Sequence, residues 1–252
     1  LLSHTVVFSQ GCLPEGITFT TQEQIDNFQA NYPGCTEILG DVDINYSITN
    51  LVGLNSLITI GGHFDIGMNF GLTSMMGLEN LSTIEGYFNI YNNISLNNLV
   101  GLENLTYIGS GFNISLNYIT SLNGLENLTF IGGHLCIENN FELTNLSALE
   151  NLTTIGGYLQ IENNALNSLS GLENIDAGSI SNLNIFNNSS LSACDVQSIC
   201  EYLASPNGTI EIHDNFPGCN SQEEVLLACE TVIDENKIEE LTLFPNPATT
   251  FI

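Results

Sequence analysis

The feature that most limits the fold is a phrase recurring at a fixed interval. Gly77-Leu-Glu-Asn-Leu81, Gly101-Leu-Glu-Asn-Leu105, Gly124-Leu-Glu-Asn-Leu128, Ala148-Leu-Glu-Asn-Leu152 and Gly171-Leu-Glu-Asn-Ile175 begin 24, 23, 24 and 23 residues apart. A period of this length belongs to solenoids, in which no repeat buries its own apolar side and each needs the next stacked upon it. A second pattern runs in phase with the first: Phe64-Asp-Ile66, Phe88-Asn-Ile90, Phe112-Asn-Ile114, Leu135-Cys-Ile137, Leu159-Gln-Ile161 and Leu183-Asn-Ile185. Alternation with period two predicts one short strand per coil. Fainter copies at Val42-Asp-Ile44 and Ile210-Glu-Ile212 extend the series to about eight coils.

Three residues after each inner isoleucine stands an asparagine: Asn69, Asn93, Asn117, Asn140, Asn164, Asn188 and Asn215, with Ser47 in that place in the first coil. A buried amide can satisfy the backbone of its own and the adjoining coil where the chain leaves the strand, so this column reads as structural.

The combined phrase L-x-I-x-x-N-x-x-L-x-x-L-x-x-L, with Ile-Gly-Gly or Ile-Glu-Gly before several strands, resembles the leucine-rich repeat. It resembles more closely the receptor L-domain of insulin- and growth-factor-receptor ectodomains. The likeness covers about residues 11–215. It implies a mainly β, right-handed leucine-rich-repeat-like solenoid with short capping helices at both ends. It says little about the ligand, because solenoids host many unrelated partners.

The expected organisation is a signal-peptide remnant or N-terminal strand over 1–10, an N-terminal cap over 11–40 and the solenoid over 41–190. A C-terminal cap follows over 191–232, then a linker and the start of a sorting domain over 233–252. In the first cap, Thr21-x-x-Gln24 has capping-box form ahead of Ile25 and Phe28, and Cys12 and Cys35 flank the helix it opens. A bridge between these cysteines would staple that helix over the first coil, and receptor L-domains carry a similar flanking pair. In the second cap, apolar Val196, Ile199 and Leu203 mark one helix and Ser221-x-x-Glu224 opens another. Cys194 and Cys200 are too far apart along a helix to pair, as are Cys219 and Cys229, so bridges between the two segments are favoured; Cys194 with Cys219 and Cys200 with Cys229 is one such pairing, and helix geometry alone does not fix which. Cys136, the seventh cysteine, is turned outward by the alternation. It is a free thiol, a partner-linked thiol or a small side chain shielded by its neighbours, and the last best suits cysteine's behaviour as a small hydrophobe. Near the end, Leu243-Phe-Pro-Asn-Pro-Ala-Thr-Thr250 resembles the opening of the C-terminal sorting domain of the Bacteroidota type IX secretion system. Together with the cysteines it implies a secreted, extracellular or cell-surface protein.

Twenty-eight acidic residues face a single cation, Lys237, for a formal charge of −27. Such a surface repels phosphate and anionic lipid, which argues against nucleic-acid binding and polybasic membrane attachment. The residues of each strand that alternate with the core point outward and vary from coil to coil, as a recognition face does. From these columns His63, Asp65, Tyr87, Tyr91, His134, Glu138, Tyr158, Glu162 and Phe186 are the candidate binding residues, the aromatics as interface anchors.

No catalytic constellation is written in the chain: there is no HExxH, GxSxG, phosphate loop or CxxC motif. We therefore expect no enzyme, no catalytic residues and no dedicated metal site. The ladder Glu79, Glu103, Glu126, Glu150 and Glu173 reads as a solvated edge or a set of backbone caps, while leaving a place for calcium between neighbouring coils. Two functions remain. The chain is an adhesin or recognition module for another surface protein or a glycan, or it assembles with copies of itself into a filament, tube or layer.

Overall fold

The computed structural model describes residues 10–230. The N-terminal stretch before residue 10, Lys237, the linker and the sorting-like motif lie outside the described residues. The chain winds into a solenoid with two parallel sheets. The larger has nine strands in spatial order from Ile17–Phe19 through Val42–Asn45, Phe64–Gly67, Phe88–Tyr91, Phe112–Ser115, Leu135–Glu138, Leu159–Glu162 and Leu183–Phe186 to Ile210–His213. From Val42–Asn45 onward every strand pairs in register with the next, so equivalent residues stand in straight columns. Ile17–Phe19, which the sequence places in the cap, adds a ninth strand to the eight read from the repeat.

The second sheet was not anticipated. It contains Gln10–Cys12, Cys35–Ile38 and five two-residue strands: Thr59–Ile60, Thr83–Ile84, Tyr107–Ile108, Phe130–Ile131 and Thr154–Ile155. Two residues are too few to display an alternation, and the only trace in sequence is the recurrent β-branched or aromatic residue before Ile. It ends where the Asp176 side chain accepts the Gly178 N–H at 2.9 Å and caps a 3-10 turn, Ala177–Ser179.

Between the sheets the repeated leucines and isoleucines form one continuous core. Phe64, Phe88 and Phe112 stack at 5.2 and 5.0 Å within it, nearly parallel. The asparagine column seals the turn beside this core. Each Oδ1 receives the backbone N–H of the equivalent residue one coil earlier, as in Asn93 to Asn117 and Asn117 to Asn140. Each Nδ2 donates to two carbonyls, for Asn117 those of Ile90 and Ser115. The first coil departs from the sequence count. The N–H that reaches Asn69 belongs to fully buried Ile48, whereas Ser47 is exposed and its hydroxyl donates to the Thr20 carbonyl. Ile48 lies four residues after Ile44, whereas each asparagine lies three after its inner isoleucine, so in this coil the contact to Asn69 falls one residue beyond Ser47.

The Gly-Leu-Glu-Asn phrase ties the opposite side of the coil. Asn80, Asn104, Asn127, Asn151 and Asn174 each donate Nδ2 to a carbonyl of the preceding coil. Glu79, Glu103, Glu126 and Glu173 accept the N–H of the glycine two residues earlier. Four of the five carboxylates of the ladder, all but Glu150, therefore fold back on their own turns.

Both ends are closed. The N-terminal cap holds two short helices, Gln22–Asp26 and Phe28–Asn31, separated at Asn27 where one had been expected. Gln24 Oε1 accepts the Thr21 N–H at 3.0 Å, and Ile25 and Phe28 face the core. At the C-terminal end the helix Gln197–Ala204 packs beside a second one that begins at residue 222. Disulfides join Cys12 to Cys35, Cys194 to Cys219 and Cys200 to Cys229. Loops of this size imply about 3 kcal/mol of stabilisation for each bridge in the chain-entropy account.

Candidate recognition face

On the outward side of the nine-stranded sheet the varied columns enclose a shallow depression of about 550 Å³. Its floor is the middle column. Asp65 Oδ1 accepts from Asn89 Nδ2 at 2.6 Å, Asn89 Oδ1 accepts from Asn113 Nδ2 at 2.7 Å, and Asn113 Oδ1 lies 2.9 Å from His134 Nε2. An ionised carboxylate only accepts, so Asp65 orients both amides in turn and obliges His134 to carry its proton on Nε2. Burial lowers the His134 pKa, in keeping with a neutral ring. Burial also raises that of Asp65, against the opposing pull of the Asn89 hydrogen bond, with Asp43 adding repulsion.

A row of aromatic rings runs beside the depression, and Tyr158 from that row lines it. His63 and Tyr87 lie 4.9 Å apart, Tyr87 and His134 6.0 Å, and His134 and Tyr158 4.6 Å with parallel planes. Tyr87 and His134 are two coils apart, a strand separation of about 9.6 Å at ~4.8 Å per step, so their rings must lean together. Gly111 permits it, because a Cβ there would overlap the His134 ring. Gly67 plays the same part across the floor. Tyr91 lies back over it until its hydroxyl is 3.3 Å from the Asn45 side-chain amide.

The structure thus gathers Asp65, Tyr91, Glu138 and Tyr158 around the depression, while His134, Tyr87 and His63 continue the row of rings from Tyr158 beside it, outside its lining. Glu162 stands one strand further along, where Gln160 Nε2 donates to it at 3.1 Å. Phe186 is apart from the rest, stacked on His213 at 5.2 Å near the C-terminal end of the sheet. Asn89, Asn113, Ser115 and Gln160, which also line the depression, were not singled out from sequence. The signal was present as amides at the same position in successive strands.

Cys136 occupies its outward register position yet is only 6% exposed, covered by its neighbours. Burial first, and then the charge of Glu138, push its pKa from the ordinary 9.0 up to about 12. The unfolded chain loses this proton near pH 9 while the folded chain keeps it. Cys136 therefore supports folding fully below pH 9, and that support is lost as pH rises from 9 towards 12. We expect folded protein at pH 8 to react with a thiol reagent far more slowly than urea-unfolded protein. We also expect Cys136→Ser to flatten the alkaline fall in stability. Equal labelling rates in the two states would contradict the burial.

Among the described residues no group of three or more His, Cys, Asp and Glu is placed to hold a metal ion, and no helix is long and apolar enough to cross a membrane. Residues 127–230 match the family described as Receptor L domain, which spans the C-terminal coils and their cap. No curated protein matches the chain. The in-register parallel sheets and this match together give the fold: a receptor-L-domain-like solenoid, similar to a family of extracellular binding modules rather than of enzymes.

Proposed function

We propose that this chain is a non-catalytic extracellular recognition module that holds its ligand on the outward face of the nine-stranded sheet. The observation that carries this is a contiguous patch in which Tyr91 and Tyr158 border a floor of pre-oriented amides and carboxylates, with a row of further rings beside it. Varied side chains on an invariant scaffold are the means by which solenoids recognise partners, and the family match is to a binding-type module. Three disulfides suit an oxidising compartment. The module needs no cofactor in this reading, since four of the five ladder glutamates, all but Glu150, are engaged by their own backbone.

Self-assembly draws on a different feature. Phe70, Ile94, Tyr118 and Phe141 follow the asparagine column in four successive coils and form an exposed apolar edge. Copies charged at −27 repel one another, which weighs against contact through this edge at low salt.

A single comparison separates the two. Protein, glycan and self-binding are measured for the full chain, for the double substitution Tyr87→Ala and Tyr158→Ala, and for Phe141→Ser, with light scattering across salt concentrations. The recognition reading expects a monomer whose binding is lost in the double variant and kept in Phe141→Ser. Salt-induced polymers abolished by Phe141→Ser, with no face-dependent ligand, would replace it with assembly.

A further inference from the structure

Resting on that reading of the sheet face, we propose that the depression takes a neutral glycan, lying along the row of strands. Its floor has the chemistry of a hydroxyl-binding surface. Each of Asn89 and Asn113 spends one N–H and one lone pair on its neighbours in the row. A side-chain amide has two of each, so every strand step of about 4.8 Å presents a spare donor beside a spare acceptor. A sugar hydroxyl donates and accepts through one atom and can use both. The amides are already fixed by Asp65 at one end and His134 at the other, so a ligand immobilises few rotamers on binding.

Alternatives fit less well. Protein ligands draw most of their affinity from apolar or aromatic anchors sunk in well-packed pockets, and this floor of amides, hydroxyls and carboxylates has no such pocket. Anionic ligands meet Asp65 and Glu138 with no lysine or arginine anywhere among the described residues. What remains is an uncharged, hydroxyl-rich ligand that also has C–H faces. Tyr87, in the row of rings beside the depression, supplies the surface for those faces: it is 40% exposed and tilted by 42° and 39° from its two ring neighbours, which leaves part of its own face open.

The test uses the full chain against an array of neutral and acidic oligosaccharides, with calorimetry on any neutral oligosaccharide that binds. At least one neutral oligosaccharide is expected to bind, with little dependence on salt. Tyr87→Ala and Asn113→Leu should each weaken it by about tenfold or more, and Phe141→Ser should leave it unchanged. Tyr87 is exposed, so its substitution carries little folding risk and keeps the test decisive if Asn113→Leu misfolds. Absence of neutral-glycan binding overturns the proposal. If a protein ligand is then found that depends on Tyr87, the sheet face stands and only the glycan fails. If a glycan binds with unchanged affinity to both face variants, the sheet-face reading fails with it.

Discussion

Asn117→Ala is expected to lower the unfolding free energy by about 3–5 kcal/mol, because it orphans several buried groups at once. Asn117 is 2% exposed. Its Oδ1 takes the Asn93 N–H at 3.0 Å and the Asn93 Nδ2 at 3.1 Å, and its own Nδ2 serves the Ile90 and Ser115 carbonyls at 2.8 and 2.9 Å. Each buried donor or acceptor left without a partner costs about 1–3 kcal/mol. Asn117→Asp should be at least as harmful, since it turns an acceptor towards two carbonyls and must become protonated to do otherwise. The control is Asn127→Ala on the opposite side of the same coil. Asn127 is exposed and donates one hydrogen bond, to the Glu103 carbonyl, so its loss should cost about 1 kcal/mol. The chain has no tryptophan, so urea unfolding followed by far-ultraviolet circular dichroism is the measurement. Equal losses at Asn117 and Asn127 would show that burial of the inner column contributes nothing.

The inner column was legible in sequence because its cause repeats. Each coil must satisfy the same carbonyls at the same turn, so the same residue type returns at the same interval. The same logic exposed the strand face and, from helix geometry, the cross-linking of the second cap. Where the cause does not repeat, sequence reasoning lost its hold. The lean of His134 over Gly111 and of Tyr91 over Gly67 depends on what a neighbouring coil lacks, and that is invisible when a residue is read within its own repeat. The aromatics of the face drew attention as large side chains, while the floor that organises them is made of Asn89 and Asn113, whose role appears only once Asp65 is seen to orient them. Ile48 shows the limit of counting, since in the first coil the contact to Asn69 falls one residue later than the count from the inner isoleucine gives.

The repeated phrase carries its own internal control, and it yields the second large effect. Gly101 has φ +114°, and a Cβ added there would overlap the Met75 carbonyl of the preceding coil. Gly77, Gly124 and Gly171 share both properties. A side chain at such a site meets two penalties, the left-handed backbone and the close approach, of about 1–3 kcal/mol each. Gly101→Ala should therefore destabilise by about 3 kcal/mol and Gly101→Val by more, because β-branching stiffens the residue further. At the fourth phrase alanine already stands in this place, as Ala148. There φ is not positive, and the chain forms a 3-10 turn over Ser147–Leu149 instead. The coil thus has two ways to pass this corner, and the residue present decides between them. Ala148→Gly should consequently cost no more than about 1 kcal/mol, the entropic difference between the two residues. If Gly101→Ala proved as mild as Ala148→Gly, the turn at Gly101 must be able to switch to the 3-10 form. The glycine would then reflect the history of the repeat rather than a steric requirement of the stacked coils.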